Sequence, residues 1–157
     1  MKLLFLIFFF TVAIIAPGYS QQDSPQKDTP RGLPVASAVP KELYSHSASF
    51  FKLLLTSDIE EAYDGLLKQS PIHEKQEQYK RLIDQTKRAF QLYGNAQGYE
   101  RVDDEYISES LMRIRYITIH DELPMRWVFT YYRSPKRGWI IINIKFDDEA
   151  EYFFKDE

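Results

Sequence analysis

The chain opens with Met1-Lys2 and the apolar run Leu3 to Ala16, broken only by Thr11, and then passes into Pro17-Gly18-Tyr19-Ser20-Gln21. A basic start, a short apolar stretch and a small-residue exit predict a secretory signal peptide over residues 1–20, cleaved after Ser20. The alternative is an uncleaved membrane anchor, but a spanning helix needs about 20 apolar residues. From Gln21 to Pro40 four prolines alternate with Ser, Gln, Asp and Lys. That composition buries too little apolar surface to offset its ordering entropy and predicts a flexible linker over 21–40. The folded domain is then expected over 41–157.

Within that domain the apolar positions first recur with a helical period. Leu43, Phe50, Phe51, Leu54 and Leu55 form one stripe, which halts at Thr56-Ser57-Asp58. Ser57-Asp58-Ile59-Glu60 has the form of a capping box, opening a second helix that buries Ile59, Ala62, Tyr63, Leu66 and Leu67. Ser70-Pro71 predicts a third start, with serine as N-cap and proline at the first helical position. Ile72, Tyr79, Leu82, Ile83, Thr86, Ala89, Phe90 and Tyr93 carry this helix to a left-handed stop at Gly94-Asn95.

After Gly98 the period becomes two. Tyr99–Ile107, Leu111–His120, Met125–Arg133 and Trp139–Phe146 are rich in β-branched and aromatic residues and are joined by short turns. Short connections predict antiparallel neighbours. The fold class is therefore α+β, three N-terminal helices on a four-stranded antiparallel meander. Pairing Tyr132 with Trp139 sets Tyr131 beside Ile140, Phe129 beside Ile142 and Trp127 beside Ile144, on the face covered by the helices. Met112, Ile114 and Tyr116 join that face, and the first strand shows no clean alternation.

Composition narrows the function. There is no cysteine, so the domain must fold on packing without disulfides and no lipid can be carried on a cysteine. Export without disulfides points to a bacterial envelope, periplasmic or secreted. Losing Lys2 with the leader takes the formal charge from −3 to −4, with both signs interspersed, which argues against a nucleic-acid partner.

The layout resembles the nuclear transport factor 2-like, cone-shaped superfamily. The resemblance rests on the Ser57-to-Tyr63 step between helices, the long helix ending in Tyr93-Gly94, and the meander. Within the meander, Leu123-Pro124, Arg126-Trp127, Tyr132-Arg133, Gly138-Trp139 and Phe146-Asp147-Asp148 look like small exported bacterial members without an assigned function. It covers nearly all of residues 44–150. It implies a sheet curled around the helices to leave a pocket, and dimerisation through the sheet's other face. It does not choose an activity, because the superfamily hosts isomerases, dehydratases and plain binding modules.

Two groups of candidate residues follow. Tyr63, Tyr93, Tyr116, Trp127 and Tyr131 are expected to point between helices and sheet, either lining a pocket for a small hydrophobic ligand or simply packing as core. Arg113, Arg115, Ile117, Val128, Thr130, Tyr132, Trp139 and Ile141 are expected on the outer face, apolar in the middle and rimmed by cations. That is the composition of a dimer or partner interface. Arg113 is placed to stack on Trp139 or Tyr132, and the C-terminal Tyr152-Phe153-Phe154 is the alternative cover for this face.

Catalytic chemistry is sparse. The inward positions of the last three strands carry no Asp or Glu, and Asp64 lies off its helix's apolar stripe, so no acid and base are matched. His46, His73 and His120 lack metal-ligand spacing, the acidic tail lacks a calcium-loop pattern, and no cofactor is implied. The expected function is a non-enzymatic binding or dimerisation module; the alternative is an isomerase or hydrolase acting in the cone on a small hydrophobic substrate.

Overall fold

A computed structural model describes residues 39–154. The leader expected over 1–20, and the linker up to residue 38, lie outside the described residues. Helix α1 (Lys41–Leu55) buries Leu43, Ser47, Phe50, Phe51 and Leu54. The helix starts at the expected domain boundary, and packing reaches slightly before it: Val39, inside the expected linker, is already core, and the Pro40 carbonyl accepts from the Leu43 amide at 2.9 Å. Ser57 belongs to the end of α1 and not to a capping box. It takes φ +64°, its amide donates to the Leu54 carbonyl, and the Asp58 amide donates to that of Leu53. This is a Schellman stop with a serine in the position glycine usually fills.

Helix α2 (Ile59–Leu67) buries the five residues that its pattern predicts. Helix α3 (Gln76–Tyr93) begins five residues later than Pro71 suggested. Ser70 is buried and turned inward: its hydroxyl accepts from the Ile72 amide and donates to the Ile141 carbonyl at 2.6 Å. The intervening residues form turns that fasten this corner to the sheet. Gly94 then supplies positive φ (+84°) where α3 ends.

The sheet runs β1 (Gly98–Ser108), β2 (Leu111–Ile119), β3 (Met125–Ser134) and β4 (Gly138–Asp147), antiparallel and in chain order. A 3₁₀ turn, Ala150–Phe153, follows. β1 lacks alternation because its register slips on either side of Val102 and Ile107. Each is an extra, exposed residue that inverts the parity beyond it.

The β3–β4 register differs from the expected one. Gly138 takes φ +70° and pairs with Ser134 across a three-residue loop, a geometry that needs a left-handed residue at its end. Tyr132 consequently faces Ile140, and Tyr131 faces Ile141. A second slip between Thr130 and Tyr131 leaves Ile142 bulged and pairs Phe129 with Ile144 and Trp127 with Phe146. The inward residues of β4 are therefore Trp139, Ile141, Ile144 and Phe146, while Ile142 points out.

The core lies between helices and sheet and is built from rings. Phe50 meets Phe51, Tyr63, Trp127 and Phe129 edge-on at 5.2–5.5 Å. Phe51 stacks on Tyr99 and Phe129, and Trp127 stacks on Phe146 at 4.7 Å. Edge-to-face and offset contacts add to area burial, which is how a chain without disulfides fills its interior.

Candidate functional site

Four of the five inward candidates meet in this core. Tyr63, Tyr116, Trp127 and Tyr131 are each at most 3 % exposed and pack on neighbouring rings and aliphatic side chains. Tyr93 is not among them: it is half-buried at the end of α3, and its hydroxyl donates to Asp148 at 2.5 Å. That bond holds the Asp148 carboxyl below its ordinary range.

The interior hydroxyls are committed to one another. Ser47 donates to the Leu43 carbonyl one turn back, so its oxygen can only accept from Tyr131 Oη, at 2.8 Å. Thr86 repeats the arrangement, donating to the Leu82 carbonyl and accepting from Tyr63 Oη at 2.8 Å. Burial pushes the pKa of both phenols upward, more than the hydroxyl partner lowers it.

A third chain starts at the Trp127 indole N–H, which donates to Thr118 Oγ1 at 2.9 Å. Thr118 faces His120 Nε2 at 2.9 Å, and His120 Nδ1 faces the Gly94 carbonyl at 2.7 Å. A carbonyl only accepts, so the Nδ1 that faces Gly94 carries a proton and donates it. Among the described residues the Tyr106 hydroxyl is the single buried side-chain polar atom without a partner.

The outer face is arranged differently from expectation. Register places Arg113, Arg115, Ile117, Val128, Thr130 and Tyr132 on it, but Ile141 is 1 % exposed in the core and Trp139 packs inward. Both misplacements follow from the β4 register. The arginines form the middle and not the rim. Arg115 grips both carboxylate oxygens of Asp103 at 2.8 and 2.9 Å and reaches Glu105 at 2.5 Å. Arg113 Nε lies 3.7 Å from Glu105 and stacks on neither expected ring; Trp139 is on the opposite face.

Apolar groups lie at both ends of this ladder: Leu111, Tyr132, Ile140 and Ile142 at one end, Ile117 and Ile119 at the other. Tyr132 and Ile142 are each 38 % exposed. The C-terminal turn covers only the Arg126 corner. Arg126 is held by two bonds to Asp147, at 2.9 and 2.6 Å, and the Tyr152 ring lies 4.4 Å over its guanidinium.

The remaining polar candidates are dispersed. Asp64 is exposed, accepts from the Tyr79 hydroxyl and lies 3.4 Å from His73 Nε2. His46 Nε2 bonds the Gly65 carbonyl at 3.0 Å. Among the described residues no three His, Asp or Glu side chains converge to hold a metal ion, and no helix is long and apolar enough to cross a membrane. Sequence reasoning missed the acidic partners on β1, because the bulge at Val102 decides which of Asp103, Asp104 and Glu105 face the arginines. Comparisons with protein-family models, with curated proteins and with solved structures each returned no match.

Proposed function

We propose that this chain is an exported, non-catalytic binding module that pairs with a second copy of itself through the outer face of its sheet. The observation that carries the proposal is the pattern on that face. A solvent-facing antiparallel sheet normally presents polar side chains, whereas here Tyr132 and Ile142 are exposed beside Leu111 and Ile140. The ion ladder between the apolar ends is self-complementary. Acids stand on β1 and arginines on β2, so a two-fold axis between the columns sets each sign against its opposite, as an isologous interface requires. The resemblance to the cone-shaped superfamily supports the same face, and the leader-like N-terminal pattern supports export.

The non-catalytic part rests on the interior. Tyr63 and Tyr131 donate to hydroxyls already in use, and burial drives their acidity away from neutrality, which suits neither an acid nor a base near pH 7.

A thiol probe tests the interface. The chain has no cysteine, so Thr130→Cys places a unique thiol amid the outer face. Its alkylation in the full chain should be slow at high protein concentration and accelerate on dilution. A rate independent of concentration would remove the proposal.

A further inference from the structure

A cleft of about 890 Å³ opens away from both the ring-packed interior and the outer face. It lies where the first half of α1, the end of α2 and the β3–β4 hairpin meet. Glu42 and His46 come from α1, Lys68 follows α2, and Arg133, Arg137 and Trp139 come from the hairpin. Its size is that of a small-molecule site.

The charge in this cleft is not balanced from within. Three full cations line it against one carboxylate, Glu42. Arg137 is paired with a carboxylate outside the lining, Nη2 lying 3.2 Å from Glu74, and its Nη1 lies 3.4 Å from the carbonyl of Gln69, a lining residue. Among the described residues no carboxylate lies within ion-pair distance of Lys68 or Arg133. Elsewhere on the sheet Arg101, Arg115 and Arg126 each have a carboxylate at 2.5–2.8 Å. Trp139, the cross-strand neighbour of Arg133, also lines the cleft, half-buried and packed on the core, and supplies its aromatic wall.

We propose that this cleft binds an anionic ligand of small-molecule size that carries a flat apolar part. The ring or hydrocarbon lies against Trp139, and a carboxylate or phosphate is held by Arg133 and Lys68, with Arg137 behind them. A guanidinium fork matches either anion with two parallel bonds. The site is separate from the proposed interface and stands or falls without it.

The test uses phenylacetate and phenyl phosphate as probes, with benzyl alcohol as the neutral comparator, titrated into the full chain and read by NMR. The chain has two tryptophans, and their indole N–H signals report separately. Trp127 is buried with its N–H donated to Thr118, so it serves as the internal reference. The Trp139 signal should move saturably with at least one anion while that of Trp127 stays still. Benzyl alcohol should bind about tenfold more weakly, the loss of one charge-assisted contact. Arg133→Gln, at an exposed position, should weaken the anion by a similar factor, and the tighter of the two anions identifies the headgroup. Equal response to benzyl alcohol, movement of both indoles together, or affinity unchanged in both Arg133→Gln and Lys68→Gln overturns the site.

Discussion

At the scale of single residues, Ser47 and Thr86 perform one task in two places. Each sits inside a helix, spends its proton on the carbonyl one turn back, and offers its oxygen to a tyrosine from another element. The direction of these bonds fixes an order of costs. Ser47→Ala strands a buried phenol O–H, a loss of about 1–3 kcal/mol. Tyr131→Phe leaves Ser47 still donating to Leu43, so it should cost less despite removing the same bond. Urea unfolding of the two variants checks this, and the reverse order would contradict the assigned donor.

The same phenols set a pH limit. Tyr63 and Tyr131 have folded-state pKa values raised by burial, so the unfolded chain releases their protons first. Their contribution is complete below the ordinary tyrosine value of about 10 and is lost as pH rises beyond it. Phenolate absorbance and near-ultraviolet circular dichroism, followed together in alkali, should show part of the absorbance appearing in step with loss of structure. Complete ionisation with the dichroism intact would refute it.

Among the elements, the glycines that close α3 and the β3–β4 loop make a paired experiment. Both have positive φ, which costs alanine about 1–2 kcal/mol in the left-handed region, and Gly94, with ψ 173°, lies beyond that region where only glycine is at ease. A Cβ at Gly138 meets open space, whereas one at Gly94 lies 2.8 Å from Asp121 Oδ2, whose carboxylate is held by Gln97. Gly94→Ala should therefore lower the melting temperature more than Gly138→Ala, through both the backbone and Asp121, and equal shifts would contradict it.

These elements also mark what was legible in the sequence. Helices α1 and α2, the four strands and their order follow from apolar period and turn chemistry. The start of α3 was misplaced because Ser70 and Pro71 fit a helix cap locally, while a tertiary bond to Ile141 holds Ser70 in a turn. The interior candidates Tyr63, Tyr116, Trp127 and Tyr131 were legible because helical stripe and strand parity both select them. Trp139 and Ile141 were not: a loop ending on a left-handed glycine and one bulge at Ile142 shift parity, and a period of two carries no warning of either.

For the molecule as a whole, the described residues divide their polar groups between two regimes. Inside, the buried hydroxyls of Ser47, Tyr63, Thr86, Thr118 and Tyr131 and the Trp127 N–H are answered by one another or by backbone carbonyls and His120. Outside, the sheet carries an ion ladder flanked by exposed apolar side chains, an arrangement that a partner copy would complete. The proposed pairing therefore draws on side chains that the domain does not need for its own fold. Tyr132 and Ile142 are partly exposed, and glutamate at either should leave the core intact.

Light scattering on the full chain beside the Tyr132→Glu, Ile142→Glu double variant tests that account most directly. The parent should have the mass of a dimer and the variant that of a monomer, with superimposable circular dichroism. A parent that is monomeric throughout, or a variant that keeps the parent's mass, would contradict it.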